Sequence, residues 1–187
     1  GNQGPLVLPG EYTVTVEAGG PTMTGPVTVV PDPGVQATQA DLEAQFAATS
    51  QALALSATVN GIVERVEAMV GQLTTLDAQL GRQSPVPAVR AQVTRALESL
   101  KKFRDEELVR PLPGLGYRQY PRLREDVQSL AGYLQRGVRA PNGGELERMK
   151  DLTAEVEKAA AKVNSFITKA IAAINEALKA APRIVVE

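Results

Sequence analysis

The chain contains no cysteine and no histidine. Without cysteine there is no disulfide framework and no thiolate nucleophile. Without histidine the commonest general base is missing, as are all Ser-His and Cys-His pairs and the Cys/His zinc patterns. Tryptophan is absent and aromatic residues make up only 4% of the sequence. The core must therefore be built from Ala, Leu, Val and Ile, a composition that suits long helices. No Lys or Arg occurs in the first 37 residues. Over all 187 residues the charges nearly cancel, at −1, so no bulk field would recruit nucleic acid or an anionic membrane. No unbroken apolar run approaches the ~20 residues of a membrane span. Residues 1–37 lack the basic, apolar and cleavage pattern of a signal peptide. The sequence opens on Gly1 rather than Met, and the expectation is a processed start or a piece of a longer chain.

What is present divides into a hairpin, residues 1–34, and a helical part, residues 35–187. In the first the hydrophobic period is two. Tyr12, Val14 and Val16 alternate with Thr13, Thr15 and Glu17, and Val27 and Val29 flank Thr28, the pattern of strands with one apolar face. Gly19-Gly20 supplies the positive φ a hairpin turn needs. Pro9-Gly10 reads as a second turn, which makes residues 6–8 a candidate third strand. Pro31-Asp32-Pro33-Gly34 ends the pairing. Two or three strands are marginal alone in water, so the apolar face needs a cover. It would come from sequence upstream or from docking on the Phe46 end of the first helix.

Beyond residue 35 the period is helical. Thr38 with Asp41 resembles a capping box. The first helix then runs to about Leu80 on a stripe that includes Leu42, Phe46, Thr49, Leu53, Val63 and Leu73, with Gly81 as C-cap and Asn60-Gly61 as a weak point. Ser84-Pro85 opens a second helix, which carries Val89, Val93, Leu97, Leu100 and Phe103 and ends before Pro111. Pro121 opens a third with Leu123, Val127, Leu130 and Leu134, ending at Gly137. Asn142 caps a fourth, with Glu145 at its third position and a stripe from Leu146 to Leu178, ending at Pro182. At 1.5 Å per residue the first and fourth helices are roughly 65 and 55 Å long. The expected fold is mainly α: an antiparallel bundle of four helical segments, two of them long, preceded by a short β-hairpin. An up-down-up-down bundle and a three-armed bundle with a broken middle arm both satisfy the connectors.

Few constellations suggest chemistry. Glu64 with Glu67, and Glu155 with Glu157, are carboxylate pairs, but they fall off the apolar stripes and read as solvated helix faces. No metal-binding spacing, phosphate loop or nucleophile elbow occurs, so no catalytic, metal or cofactor residue is assigned. Residues 110–124, "RPLPGLGYRQYPRLR", gather three Pro, two Tyr and four Arg. Rigid prolines, tyrosines and arginines suit a recognition surface, which makes Arg110, Tyr117, Arg118, Tyr120 and Arg122 the candidate interaction residues. The competing reading is a structural crossover whose arginines pair with Asp105, Glu106, Glu107, Glu125 and Asp126.

"LPGEYTVTVEAGGPTMTGPVTVVPDPGV" followed by "ADLEAQF" resembles the C-terminal region of large bacterial exported proteins with sortilin-type, Asp-box (BNR) β-propellers. "YPRLREDVQSLAGYL", residues 120–134, is similar to a helix opening late in such tails. In that family the propeller is followed by an immunoglobulin-like sandwich and then a helical bundle. The resemblance implies that the hairpin is the end of a sandwich, that the parent is multidomain, and that the setting is extracytoplasmic: periplasmic, cell-surface or secreted. It lends no activity. Glycosyl-hydrolase-like chemistry would belong to the propeller, and no Ser-x-Asp-x-Gly-x-Thr-Trp box occurs in this chain.

The functional expectation is a non-catalytic C-terminal structural or interaction module. It would pack on upstream domains of its own polypeptide or on another protein, with no nucleic acid, no membrane span and no cofactor. The alternatives are an enzyme fragment acting through carboxylates and Tyr/Arg near Tyr117 and Arg118, and a self-associating helical stalk, which would be a homo-oligomer.

Overall fold

The computed structural model describes residues 4–81, 86–111 and 120–179. Strands β1 (Gly10–Val16) and β2 (Met23–Val29) are followed by α1 (Gln39–Leu80), α2 (Pro87–Phe103), α3 (Leu123–Arg136), α4 (Gly143–Phe166) and α5 (Ala172–Lys179). A π-helical turn, Arg104–Leu108, extends α2, and a second, Ile167–Ile171, joins α4 to α5. The protein is thus mainly helical, with four helical segments after an N-terminal hairpin. The chain divides into two compact units. Unit 1 comprises residues 1–54 and 128–150, and unit 2 comprises residues 55–127 and 151–187.

Unit 1 holds the hairpin. β1 and β2 pair antiparallel with Tyr12 opposite Val27, Val14 opposite Gly25 and Val16 opposite Met23. Side chains alternate across a strand, so these residues share one face while Glu11, Thr13, Thr15, Thr24 and Thr28 share the other. Residues 17–22 make the connecting loop, with Gly19 at φ 70, a conformation glycine adopts without steric penalty. Residues 6–8 do not form the expected third strand. Pro9 has no N–H for a ladder, and the Leu8 carbonyl instead accepts the Tyr12 hydroxyl at 2.7 Å.

The helix starts in unit 1 are capped as the sequence implies. Asp41 N–H donates to Thr38 Oγ1 at 3.2 Å, and Thr38 N–H donates to Asp41 Oδ2 at 2.9 Å. Glu145 N–H and Asn142 N–H bond reciprocally to Asn142 Oδ1 and Glu145 Oε2, each at 2.9 Å. Both are capping boxes that satisfy otherwise unpaired helix N–H groups. The buried face of α1 here is Gln45, Ala48, Thr49 and Ala52, whereas Leu42, Phe46 and Leu53 are only half-buried. The stripe expected from the largest side chains is therefore rotated by about a residue. Gln45 decides it: its Nε2 donates to the Leu134 carbonyl of α3 and to Thr49 Oγ1, and the alanines let the backbones approach. Leu130, Ala131, Leu134 and Met149 complete this small core.

Unit 2 has the larger core. Val59, Ile62, Val63, Val66, Val70 and Leu73 of α1 are buried, as are Val93, Leu97, Leu100 and Phe103 of α2 and Leu152, Val156 and Val163 of α4. Asn60-Gly61 lies inside an unbroken helix. α1 ends as the sequence implies, with Gly81 at φ 60 and its N–H donating to the Asp77 carbonyl at 3.2 Å. Ser84 and Pro85 lie outside the described residues; α2 is seen from Pro87, a first-turn proline. α3 begins at Leu123 rather than at Pro121, because Arg122 is the residue whose carbonyl takes the first helical bond, from Asp126. The α4–α5 stripe holds from Met149 to Val163. At the π turn Ile167 and Ala170 become half-buried, and Ile174 is buried beyond it, as expected when a wider turn resets the register.

Within α1 an 18-residue window is apolar enough by length and composition to cross a membrane. No unbroken apolar run signalled it. The window arises from Ala with Phe46, Leu53, Leu55, Val59, Ile62 and Val63 between Glu43 and Glu64, where no charge occurs. A core helix passes the same test, and Val59, Ile62 and Val63 at its end are buried in unit 2.

Candidate functional site

The arginine-rich crossover of unit 2 is organised around one carboxylate. Glu125 is the third residue of α3, and its side chain is 11% exposed. Its Oε2 accepts the backbone N–H groups of Arg110 and Arg122, at 3.2 and 3.1 Å. The guanidinium Nε of Arg110 is 3.7 Å from the same oxygen. Arg124 donates to Oε1. Arg122 extends the clasp, its Nε donating to the Asp105 carbonyl at 3.2 Å. Arg104 grips the Asp105 carboxylate through two nitrogens. The hydrogen bond to Asp105 raises the pKa of Arg104 against a smaller opposing effect of burial. Arg110 and Arg122 are thus engaged within their own unit, tying the end of α2 to the start of α3. Glu106 and Glu107 pair elsewhere, with Lys102 and Lys162, and Lys162 also sits over the Phe103 ring at 4.4 Å. Tyr120 is 85% exposed. Tyr117 and Arg118 lie outside the described residues.

The carboxylate pairs do not converge. Glu64, Glu67, Glu155 and Glu157 are all exposed. Among the described residues the buried polar side chains are Gln45 and Thr49, not acids, and no group of three or more potential metal ligands occurs. A cavity of about 340 Å³ beside Leu108 and Arg122 brings Glu106, Glu107 and Glu155 to one rim with Lys158 and Lys162. Its acids are exposed, and Glu106 and Glu107 are paired with lysines.

Unit 1 offers a different surface. Every residue of β1 is exposed, and the apolar face carries Tyr12 at 37%, Val14 at 48% and Val16 at 52% exposure, with Val27 and Met23 beside them. Among the described residues it is the exit end of the hairpin that meets helices. There Leu8, Val29, Val35, Leu42, Gln45 and Val138 line an apolar cavity of about 260 Å³. Of the sheet face, Val29 at that end reaches Leu42 and Gln45 of α1, while among the described residues Tyr12, Val14, Val16, Met23 and Val27 stay undocked.

The two edges of the hairpin are unequal. Proline has no N–H to give the ladder, so the Thr13–Pro26 pair must be one of the pairs whose backbone groups point outward. The pairs on either side of it, Tyr12–Val27 and Val14–Gly25, then carry the ladder bonds. By the same alternation β2 presents the N–H of Thr24 and Thr28 to its outer side with a gap at Pro26. β1 presents an unbroken set from Glu11, Thr13 and Thr15. Pro26 was visible in the sequence, but its meaning depends on the register.

No family model, no curated protein and no solved structure matches this chain.

Proposed function

We propose that this chain is a non-catalytic C-terminal structural or interaction module of a larger exported bacterial multidomain protein. The hairpin would be the last piece of an immunoglobulin-like sandwich, and the module would pack on its own propeller or on a protein partner. One observation carries the reading: a strand pair with a continuous apolar face, Tyr12, Val14, Val16, Met23 and Val27, that nothing among the described residues covers. An isolated hairpin is marginal in water, and contiguous exposed apolar surface marks an interaction site. Export and the propeller rest on the resemblance of residues 8–35, 40–46 and 120–134 alone. The test is side-chain solvent accessibility at Tyr12, Val14 and Val16 by hydroxyl-radical footprinting, measured in this chain alone and in the polypeptide extended through whatever sequence precedes Gly1 in its gene. Strong protection in the longer polypeptide supports a module that packs on its own domains. Equal exposure in both, with no protein captured that protects the face, overturns the reading.

A further inference from the structure

We infer that the outer edge of β1 accepts one extended strand from a separate partner polypeptide whose apolar residues alternate with Lys or Arg. The inference rests on the part of the module reading in which the hairpin binds another protein, not on its being the end of a sandwich, and names the partner's element. Strand addition needs an edge with its full complement of backbone donors and acceptors. Among the described residues β1 pairs only with β2, and its outer side retains the N–H and C=O groups of Glu11, Thr13 and Thr15. The outer side of β2 is interrupted by Pro26, a device that discourages pairing. The two edges therefore differ in kind, and the free one is β1.

Register and charge specify what would fit. An incoming strand shares the pleat of β1, so alternate side chains stand beside Tyr12, Val14 and Val16 on the apolar face. The others stand beside Glu11, Thr13 and Thr15, with Glu17 at the start of the loop that follows β1. Residues 4–54 carry five acids, Glu11, Glu17, Asp32, Asp41 and Glu43, and no base. Opposite charges across a strand pair stabilise it and like charges oppose it. A basic partner strand is thus complementary at Glu11 and Glu17, whereas a second copy would bring two uniformly acidic segments together.

The test uses the full chain and two synthetic peptides, capped Lys-Val-Thr-Val-Thr-Val-Lys and capped Glu-Val-Thr-Val-Thr-Val-Glu, titrated by fluorescence anisotropy with amide exchange as readout. The expected result at low salt is binding of the Lys peptide about tenfold or more tighter than the Glu peptide, a gap that narrows at high salt. Amide exchange should slow at Thr13 and Thr15 but not at Thr24 or Thr28. Thr13→Pro should abolish binding while the ladder amides of Tyr12 and Val14 stay protected. If that variant loses the hairpin, the Lys peptide N-methylated on its β1-facing amides answers the same question on the unaltered chain, and it should not bind. Equal binding of the two peptides, no binding of either, or protection on the β2 edge overturns the inference. So does a chain that doubles in mass with Thr13 and Thr15 protected, since the occupant is then a second copy. A peptide that still binds Thr13→Pro but not Val14→Asp overturns the edge and leaves the module reading standing. Protection of Thr13 and Thr15 in the extended polypeptide without peptide overturns the inference, since the occupant is then its own strand; persistent exposure of the apolar face there, with no captured protein that covers it, removes the module reading itself.

Discussion

Unit 2 and the hairpin of unit 1 are both rich in valine, yet they have opposite fates. In unit 2 Val59, Val66, Val93, Val127, Val156 and Val163 are buried to 2% exposure or less. On the hairpin Val14 and Val16 stay about half exposed. The difference is not in the residue type but in whether a second apolar surface reaches it. A helix that folds back on another finds its partner within the chain. A two-stranded sheet has a face and two edges to satisfy, and its face is left open among the described residues. Hydrophobic burial contributes about 25 cal/mol per Å², so the part of the hairpin's apolar surface that stays exposed does nothing for this chain's stability until something covers it.

The contrast can be broken by substitution, beginning in unit 2. Leu100→Ala should lower the unfolding free energy by about 2–5 kcal/mol in urea titrations, because its site is sealed on all sides. A loss under 1 kcal/mol would mean that this core is looser than its burial implies. In unit 1, Gln45→Leu leaves the Leu134 carbonyl and Thr49 hydroxyl without their shared donor and should cost about 1–3 kcal/mol by the same measurement. Gly81→Ala forces a side chain into the left-handed region at the end of α1 and should cost about 1–2 kcal/mol.

A pH comparison is subtler. The hydrogen bond from Arg139 holds the Glu145 carboxyl below its ordinary value of 4.5 against the opposing effect of burial, with a lesser contribution from the Asn142 N–H. Its folded-state pKa is depressed, so its contribution is fully present above the unfolded value and is lost as pH falls through the lower folded value. Glu145→Gln should lower stability at neutral pH, where that contribution is fully present, flatten the acid limb below pH 4.5 and make least difference at the acid end, as urea titrations across pH would show. The smallest effect is expected at the hairpin, where Val14→Ser should alter the stability of this chain by less than about 0.5 kcal/mol. A larger loss would show that the face is already covered.

Much of this architecture could be read from local chemistry. Thr38 with Asp41, Asn142 with Glu145, and Gly81 each marked a helix end through groups that lie within four residues of one another. The alternation of Tyr12, Val14 and Val16 and the glycines after them marked the hairpin. Reading failed where the deciding contact was distant. Leu42, Phe46 and Leu53 are the large residues of the first half of α1, but Gln45 reaches Leu134, 89 positions away, and sets the buried face. Residues 6–8 carry strand-like composition, yet no third strand pairs there. Among the candidate surface residues, Arg110 and Arg122 bind the clasp around Glu125 and Asp105, while Tyr120 projects into solvent.

The sequence by itself determined the two periods, the helix caps, and the exclusion of thiol, histidine and Cys/His metal chemistry, because each depends only on residue type and near spacing. Tertiary structure decided which stripe is buried, which arginines are occupied, and which strand edge remains whole. Those outcomes depend on groups far apart in the chain meeting at hydrogen-bond distance, and on a register that gives Pro26 its outward position. A period of two marks two faces, but only the pairing tells which edge of the hairpin is left with its hydrogen bonds unmade.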